Sequence, residues 1–90
     1  MGERRERLEI IKDILEAIRA KGGTIKPTHL LYKSNLSHDS MKRYVSELME
    51  KGMVDENEEK KSKKYVITDR GLKFLTQYQQ IREFTDSFGF

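Results

Sequence analysis

The stretch KPTHLLYKSNLSHDSMKRYVSELMEKGMVDENEEKKSKK, from Lys26 to Lys64, reads as two short helical segments, a polar turn between them, and a basic tip flanked by strands. Pro27 opens the first segment: its fixed φ suits a first helical turn, where its missing amide proton costs nothing. The turn is Ser34-Asn35-Leu36-Ser37. Ser37 is a good N-cap for the segment that follows, because its hydroxyl can accept from a first-turn amide that has no intrahelical partner. That segment closes at Lys51-Gly52, a cation in the last turn followed by a residue suited to a left-handed cap. Met53-Val54 and Tyr65-Val66-Ile67 are the strand candidates, and Glu58-Glu59-Lys60-Lys61-Ser62-Lys63-Lys64 lies between them.

Working outward, residues from about Arg4 to Lys21 form a helix. Leu8, Ile11, Leu15 and Ile18, with Ile10 and Ile14 beside them, recur at helical spacing and mark its inner face. Its other face mixes acids and bases, among them a favourable Glu3–Arg7 pair, and reads as a solvated surface. Gly22-Gly23 breaks this helix, and Thr24-Ile25 can form a short strand. The next helix, about Pro27 to Lys33, buries Leu30 and Leu31 in part. The third, about His38 to Lys51, turns Met41, Tyr44, Val45, Leu48 and Met49 inward.

Thr68 is a further N-cap, with Asp69 well placed in the first turn of a helix running toward Ser87. Leu72 and Leu75 can return to the core. Phe74, Tyr78, Ile81, Thr85 and Phe88 step by four, three, four and three, the spacing of a coiled coil. One helix cannot bury two such stripes in a domain this small, so a second copy is the economical partner. The expected architecture is α+β, mostly α: a winged helix-turn-helix over residues 1–68, with a C-terminal dimerisation helix over 69–90. In chain order the elements are helix, short strand, two helices, strand, wing and strand. Proteins of this kind generally read duplex DNA with the second helix of the helix-turn-helix.

Composition narrows the alternatives. Ninety residues make one domain with a small core, near the size where a single core is marginal. Charged residues are 37% of the chain, yet the net charge is only +3, so the position of the bases matters more than their number. There is no cysteine, which excludes disulfides, thiolate catalysis and cysteine metal sites. No apolar run approaches the roughly 20 residues of a membrane span, and no signal-peptide core follows the charged N-terminus. The reading is a soluble, cytoplasmic, chromosome-associated protein with no membrane partner.

The run Lys26-Pro27-Thr28-His29-Leu30-Leu31-Tyr32-Lys33-Ser34-Asn35-Leu36-Ser37 resembles the start of the helix-turn-helix in small archaeal winged-helix regulators. Tyr44 with Leu48, the exit Glu50-Lys51-Gly52-Met53-Val54, and Tyr65-Val66-Ile67-Thr68-Asp69-Arg70-Gly71-Leu72-Lys73-Phe74-Leu75 extend that likeness over nearly the whole chain beyond Arg7. The family includes the Sulfolobus 10a-type DNA-binding proteins. The resemblance implies an antiparallel coiled coil between the C-terminal helices of two subunits, and duplex binding by a two-fold dimer in a chromatin or regulatory role. The chain departs from that pattern in its short last helix, which ends in Ser87-Phe88-Gly89-Phe90. That ending implies an abbreviated coil or a different dimer arrangement.

Since the inward face of the third helix fixes the outward one, the candidates for DNA contact there are Ser37, His38, Ser40, Lys42, Arg43 and Ser46. Arg43 can engage guanine bidentately or hold a phosphate; its bland alternative is a surface pair with Glu47 or Glu50. Lys42 suits phosphate as a compact, mobile charge. His38 can donate to phosphate when protonated, or be an ordinary surface residue. Ser34 and Ser37 can meet phosphate, and both also have simple turn and capping roles. Lys60, Lys61, Lys63 and Lys64 form the wing candidates; alternation puts Lys61 and Lys63 on one face, and Lys60 and Lys64 on the other, if the turn keeps register. Their bland alternative is a solubilising hairpin tip.

His29 and His38 lie on different segments and lack a third ligand, so no metal is expected. Nothing resembles a catalytic constellation or a phosphate-cradling glycine loop, so neither an enzyme nor a cofactor nor a small-molecule substrate is expected. The competing function is a winged helix used for protein–protein contact in a transcription or assembly complex, kept open by the acids around the wing.

Overall fold

The structure, a computed structural model, describes residues 6–89. The elements are α1 (Arg7–Ala20), β1 (Thr24–Ile25), α2 (Pro27–Ser34), α3 (His38–Glu50), β2 (Val54–Glu59), β3 (Ser62–Ile67) and α4 (Asp69–Ser87). Glu6 caps α1 through a reciprocal capping box with Glu9, which sets the start at Arg7 instead of Arg4. The Glu3–Arg7 pair expected from sequence lies outside the described residues.

The core gathers along α1, where Ile11, Ile14, Leu15 and Ile18 are all buried, as the helical spacing predicts. Against them pack Leu30 of α2, Met41, Val45 and Leu48 of α3, and the strand residues Ile25, Val54, Tyr65 and Ile67. Leu8 falls outside this cluster and stays exposed at the N-terminal end of α1.

The three strands form one antiparallel sheet in the order β1-β3-β2. The hairpin is longer than Met53-Val54 and Tyr65-Val66-Ile67 suggest: pairing runs from Val54 opposite Ile67 out to Glu59 opposite Ser62. Charge favours the extension: Glu58 stands opposite Lys63 in the register, and the Lys63 ammonium pairs with Glu56 diagonal to it, so opposite charges support strands that no apolar alternation marks. The connection is Lys60-Lys61, with φ of 46° and 67°. Two central residues at positive φ define the tight turn whose twist matches that of its strands.

Local chemistry also sets the helix ends. Asn35 closes α2 in the left-handed conformation, at φ 55°, and so makes the sharp turn into α3. Gly52, at φ 73°, closes α3. Thr68 caps α4 as expected, its hydroxyl accepting from the Gly71 amide at 3.1 Å while donating to the Gly52 carbonyl at 2.6 Å. One side chain thereby joins the exit of α3 to the start of α4.

Gly71 and Leu75, four residues apart on one face, carry α4 into the core. Leu72 does not join them; it is turned about a quarter-circle from that face and remains 39% exposed. The two long helices run in opposite directions. Arg19 of α1 shares a groove with Leu72 and Thr76, whereas Lys12, nearer the start of α1, shares one with Arg82 and Asp86. Beyond Leu75 no described residue of α4 is buried.

Candidate nucleic-acid interface

The outward face of α3 follows from its inward face. His38, Lys42, Arg43 and Ser46 are exposed, Ser37 is exposed at the cap, and Ser40 is half-buried. Ser37 Oγ accepts from the Ser40 amide at 3.2 Å, so its hydroxyl serves the helix start. Asp39 sits in the same first turn, where the helix dipole favours an anion.

Arg43 makes neither of the ion pairs its bland alternative requires. Its Nη2 donates to Ser40 Oγ at 3.4 Å, a long bond, and it has no carboxylate partner among the described residues. Glu47 is taken by Arg7, which reaches across from α1 and lays its guanidinium over the Tyr44 ring, 5.8 Å from the centroid. That contact fastens the N-terminal end of α1 to the flank of α3 and leaves the Arg43 head outward. Ser34, by contrast, is no candidate for phosphate: it is buried, with its hydroxyl 3.5 Å from the Leu31 carbonyl oxygen.

The wing lysines do not share a surface. Lys60 and Lys61 form the tip itself. Lys63 lies on the sheet face that continues from Tyr65 and Ile67, and its ammonium sits 3.8 Å from a Glu56 carboxylate oxygen. Lys64 points to the opposite face, across from Asn57. The tip is the most basic point of the hairpin, and Lys63 is partly neutralised.

Lysine is a poor residue for positive φ, since its Cβ crowds the adjacent carbonyl; each such residue costs about 1–2 kcal/mol. Asparagine followed by glycine would suit this turn far better.

On α4 the expected stripe divides. Phe74 is half-buried against the core and stacks on Tyr78 with centroids 6.1 Å apart. Tyr78 and Thr85 are half-buried, whereas Ile81 and Phe88 are 63% and 64% exposed. Phe84 was not among the residues the four-and-three spacing selects, yet it is 64% exposed and its ring lies 5.0 Å from that of Phe88. Its signal in the sequence is the run Ile81, Phe84, Phe88, three and then four residues apart. No cluster of metal-ligating side chains occurs among the described residues, and His29 and His38 stand on separate helices.

A family profile described as winged helix-turn-helix matches residues 4–86. Among solved structures, the chain is similar to Sso10a-2, a DNA-binding protein from Sulfolobus solfataricus, with a TM-score of 0.80 and 21% identity over 93% of this chain and 85% of that one. It is also similar to F93 from STIV, a winged-helix DNA-binding protein, with a TM-score of 0.71 and 15% identity over 89% of this chain and 92% of that one. The oxidized form of MarR from E. coli aligns with a TM-score of 0.70 and 21% identity; 78% of this chain is covered, against only 51% of that longer one. No curated protein sequence matches the chain.

Proposed function

The chain belongs to the winged helix-turn-helix family, and from that premise we propose that it binds double-stranded DNA as a homodimer, in transcription regulation or chromosome organisation. Each copy sets α3 into the major groove and rests the Lys60-Lys61 tip on the flanking backbone or minor groove. The single observation that carries this reading is the outward face of α3: Arg43 and Lys42 project from a polar surface with no carboxylate partner among the described residues. Ser37, His38, Ser40 and Ser46 complete the α3 contact set, and Lys63 and Lys64 support the tip from either side. Residues 1–68 form the DNA-reading unit and 69–90 the pairing unit, fastened to it by Gly71 and Leu75. Such a protein works on the chromosome in the cytoplasm; no described helix is long and apolar enough to cross a membrane.

Selection of bound duplexes from a random pool, followed by binding across a salt series, tests this reading. The log–log slope should be steep, roughly −0.9 for every phosphate neutralised. Arg43→Ala should relax preference at one position of each half-site by about 1–3 kcal/mol. Absence of duplex binding at low salt would overturn the proposal. A two-fold-symmetric site would mark a regulator, and tight binding without enrichment an architectural protein.

Pairing of two copies rests on Ile81, Phe84 and Phe88, exposed together on a helix that has already used its other face in the core. Phe74, Tyr78 and Thr85 continue this surface toward the domain. Ile81→Glu with Phe84→Glu should halve the mass in sedimentation equilibrium while leaving the unfolding midpoint of the domain nearly unchanged at high dilution. An unaltered mass would place the dimer contact elsewhere.

One observation favours a second reading, a protein-binding winged helix. β2 carries Asp55, Glu56, Glu58 and Glu59, all exposed, and Glu56 neutralises Lys63. Joint substitution of Arg43, Lys61 and Lys63 separates the two: intact folding with lost duplex binding supports the first, and a retained cellular partner supports the second.

A further inference from the structure

Lys21 and Lys26, which the DNA contact set described above leaves unused, are joined to the wing by one face of the sheet. Strand register puts Thr24, Val66, Lys64, Asn57 and Ser62 on the sheet face opposite the one that carries Tyr65 and Ile67 into the core. Two adjoining grooves run along this outer face and share Thr24 and Lys64. The first leads to Lys60 at the wing tip, and the second passes under Lys21, Lys26 and His29, where α1 ends and α2 begins. None of Lys21, Lys26, Lys60 and Lys64 makes an ion pair among the described residues, in contrast to Lys63 across the sheet. The carboxylates on this face are both on β2: Glu59 lines the first groove beside Lys60, and Asp55 stands in the row of Val66 and Thr24, with β3 between it and the Lys21–Lys26 end.

We infer that this outer face is a second phosphate track, over which the backbone of the bound duplex continues past the wing toward Lys21 and Lys26. The inference rests on the duplex reading above and extends it to residues outside the helix-turn-helix and wing tip. Three features favour a nucleic-acid backbone over an acidic peptide. The track is continuous with the wing, since Lys60 and Lys64 belong to both. Its lining offers no apolar pocket for a peptide anchor, because Ile25, the apolar residue there, is already buried. Its length also suits: from Val66 to Ser62 the strand advances about 13 Å at ~3.3 Å per residue, the rise of roughly four phosphates along one DNA strand.

The test compares the full-length protein with a Lys21→Gln/Lys26→Gln variant, which keeps the side-chain stems and removes two charges. Duplex binding is measured across a salt series, with hydroxyl-radical footprints on the selected site and thermal unfolding as a check on folding. The variant should show a log–log salt slope shallower by about 1.8, at about 0.9 per lost phosphate contact. Its footprint should be shorter at the Lys21–Lys26 end by roughly two nucleotides, one for each lost phosphate contact, with the selected sequence unchanged. If the wild type itself binds no duplex, the proposed function fails and this inference falls with it. If the wild type binds and the variant keeps slope and footprint, the inference alone is overturned. It is equally overturned if the variant loses only the capture of a second, differently labelled duplex, because the track would then belong to another DNA molecule.

Discussion

Gly71→Ala is expected to lower the thermal midpoint by about 10 °C, although alanine is the better helix former. On propensity alone the change should stabilise α4 by roughly 0.5–1 kcal/mol. Packing opposes this. A Cβ at position 71 would stand 2.5 Å from the Met53 carbonyl oxygen and 2.7 Å from Ile67 Cγ1. The carbonyl cannot retreat freely, because it accepts from the Thr68 amide at 3.1 Å. Overpacking of this kind costs about 1–3 kcal/mol and more where backbone is the obstacle, so the net loss is about 2 kcal/mol. At roughly 4–8 °C per kcal/mol for a domain of this size, that gives the stated shift. Calorimetry or urea titration reads it, and a midpoint equal to or above the wild type would show that α4 docks less closely than described.

The opposite sign is expected at the wing. Lys60→Asn with Lys61→Gly supplies the pair that a turn with two positive φ values prefers. Relieving two strained lysines should raise stability by about 1–2 kcal/mol, after allowing for the greater freedom of glycine in the unfolded chain. The same change removes both charges from the tip. With two phosphate contacts gone, the log–log salt slope should become shallower by about 1.8. The affinity lost between about 50 and 200 mM salt should then shrink by roughly tenfold relative to the wild type. A variant both more stable and weaker at low salt is the expected result. Unchanged stability would remove the argument from strain; unchanged binding would remove the tip from the interface. The gain and the loss are separable because one is read without DNA.

These two sites differ in how far the sequence announces them. The helix ends are legible because their chemistry is local: Pro27, Ser37, Gly52 and Thr68 each act within one turn of their own position. The inner faces of α1 and α3 are legible because burial repeats with the helical period, and the outward residues of α3 follow by exclusion. The hairpin is harder. Its outer strands hold acids on one side and bases on the other, so the pairing of Glu58 with Lys63 emerges only once the turn fixes the register. The tie between Lys63 and Glu56 is likewise invisible along the chain, being diagonal across two strands. Leu72 and Phe84 misled for a geometric reason. A stripe inferred from spacing assumes a single helix direction, whereas the face α4 turns inward is decided by the close approach at Gly71. Ser34 is the same lesson in miniature, a polar residue drawn inside by the tight turn at Asn35.

The Thr68 hydroxyl, held between the Gly52 carbonyl and the Gly71 amide, has a consequence for any two-fold assembly. It acts as a rivet between the exit of α3 and the start of α4, so that in an assembly paired through α4 the two helices would move together. Two copies so riveted would behave as a caliper with fixed jaws: the distance between their α3 helices would be set by the protein and offered unchanged to the DNA. A duplex whose half-sites fall out of phase with that opening must bend or twist to be held, or be gripped by one jaw only.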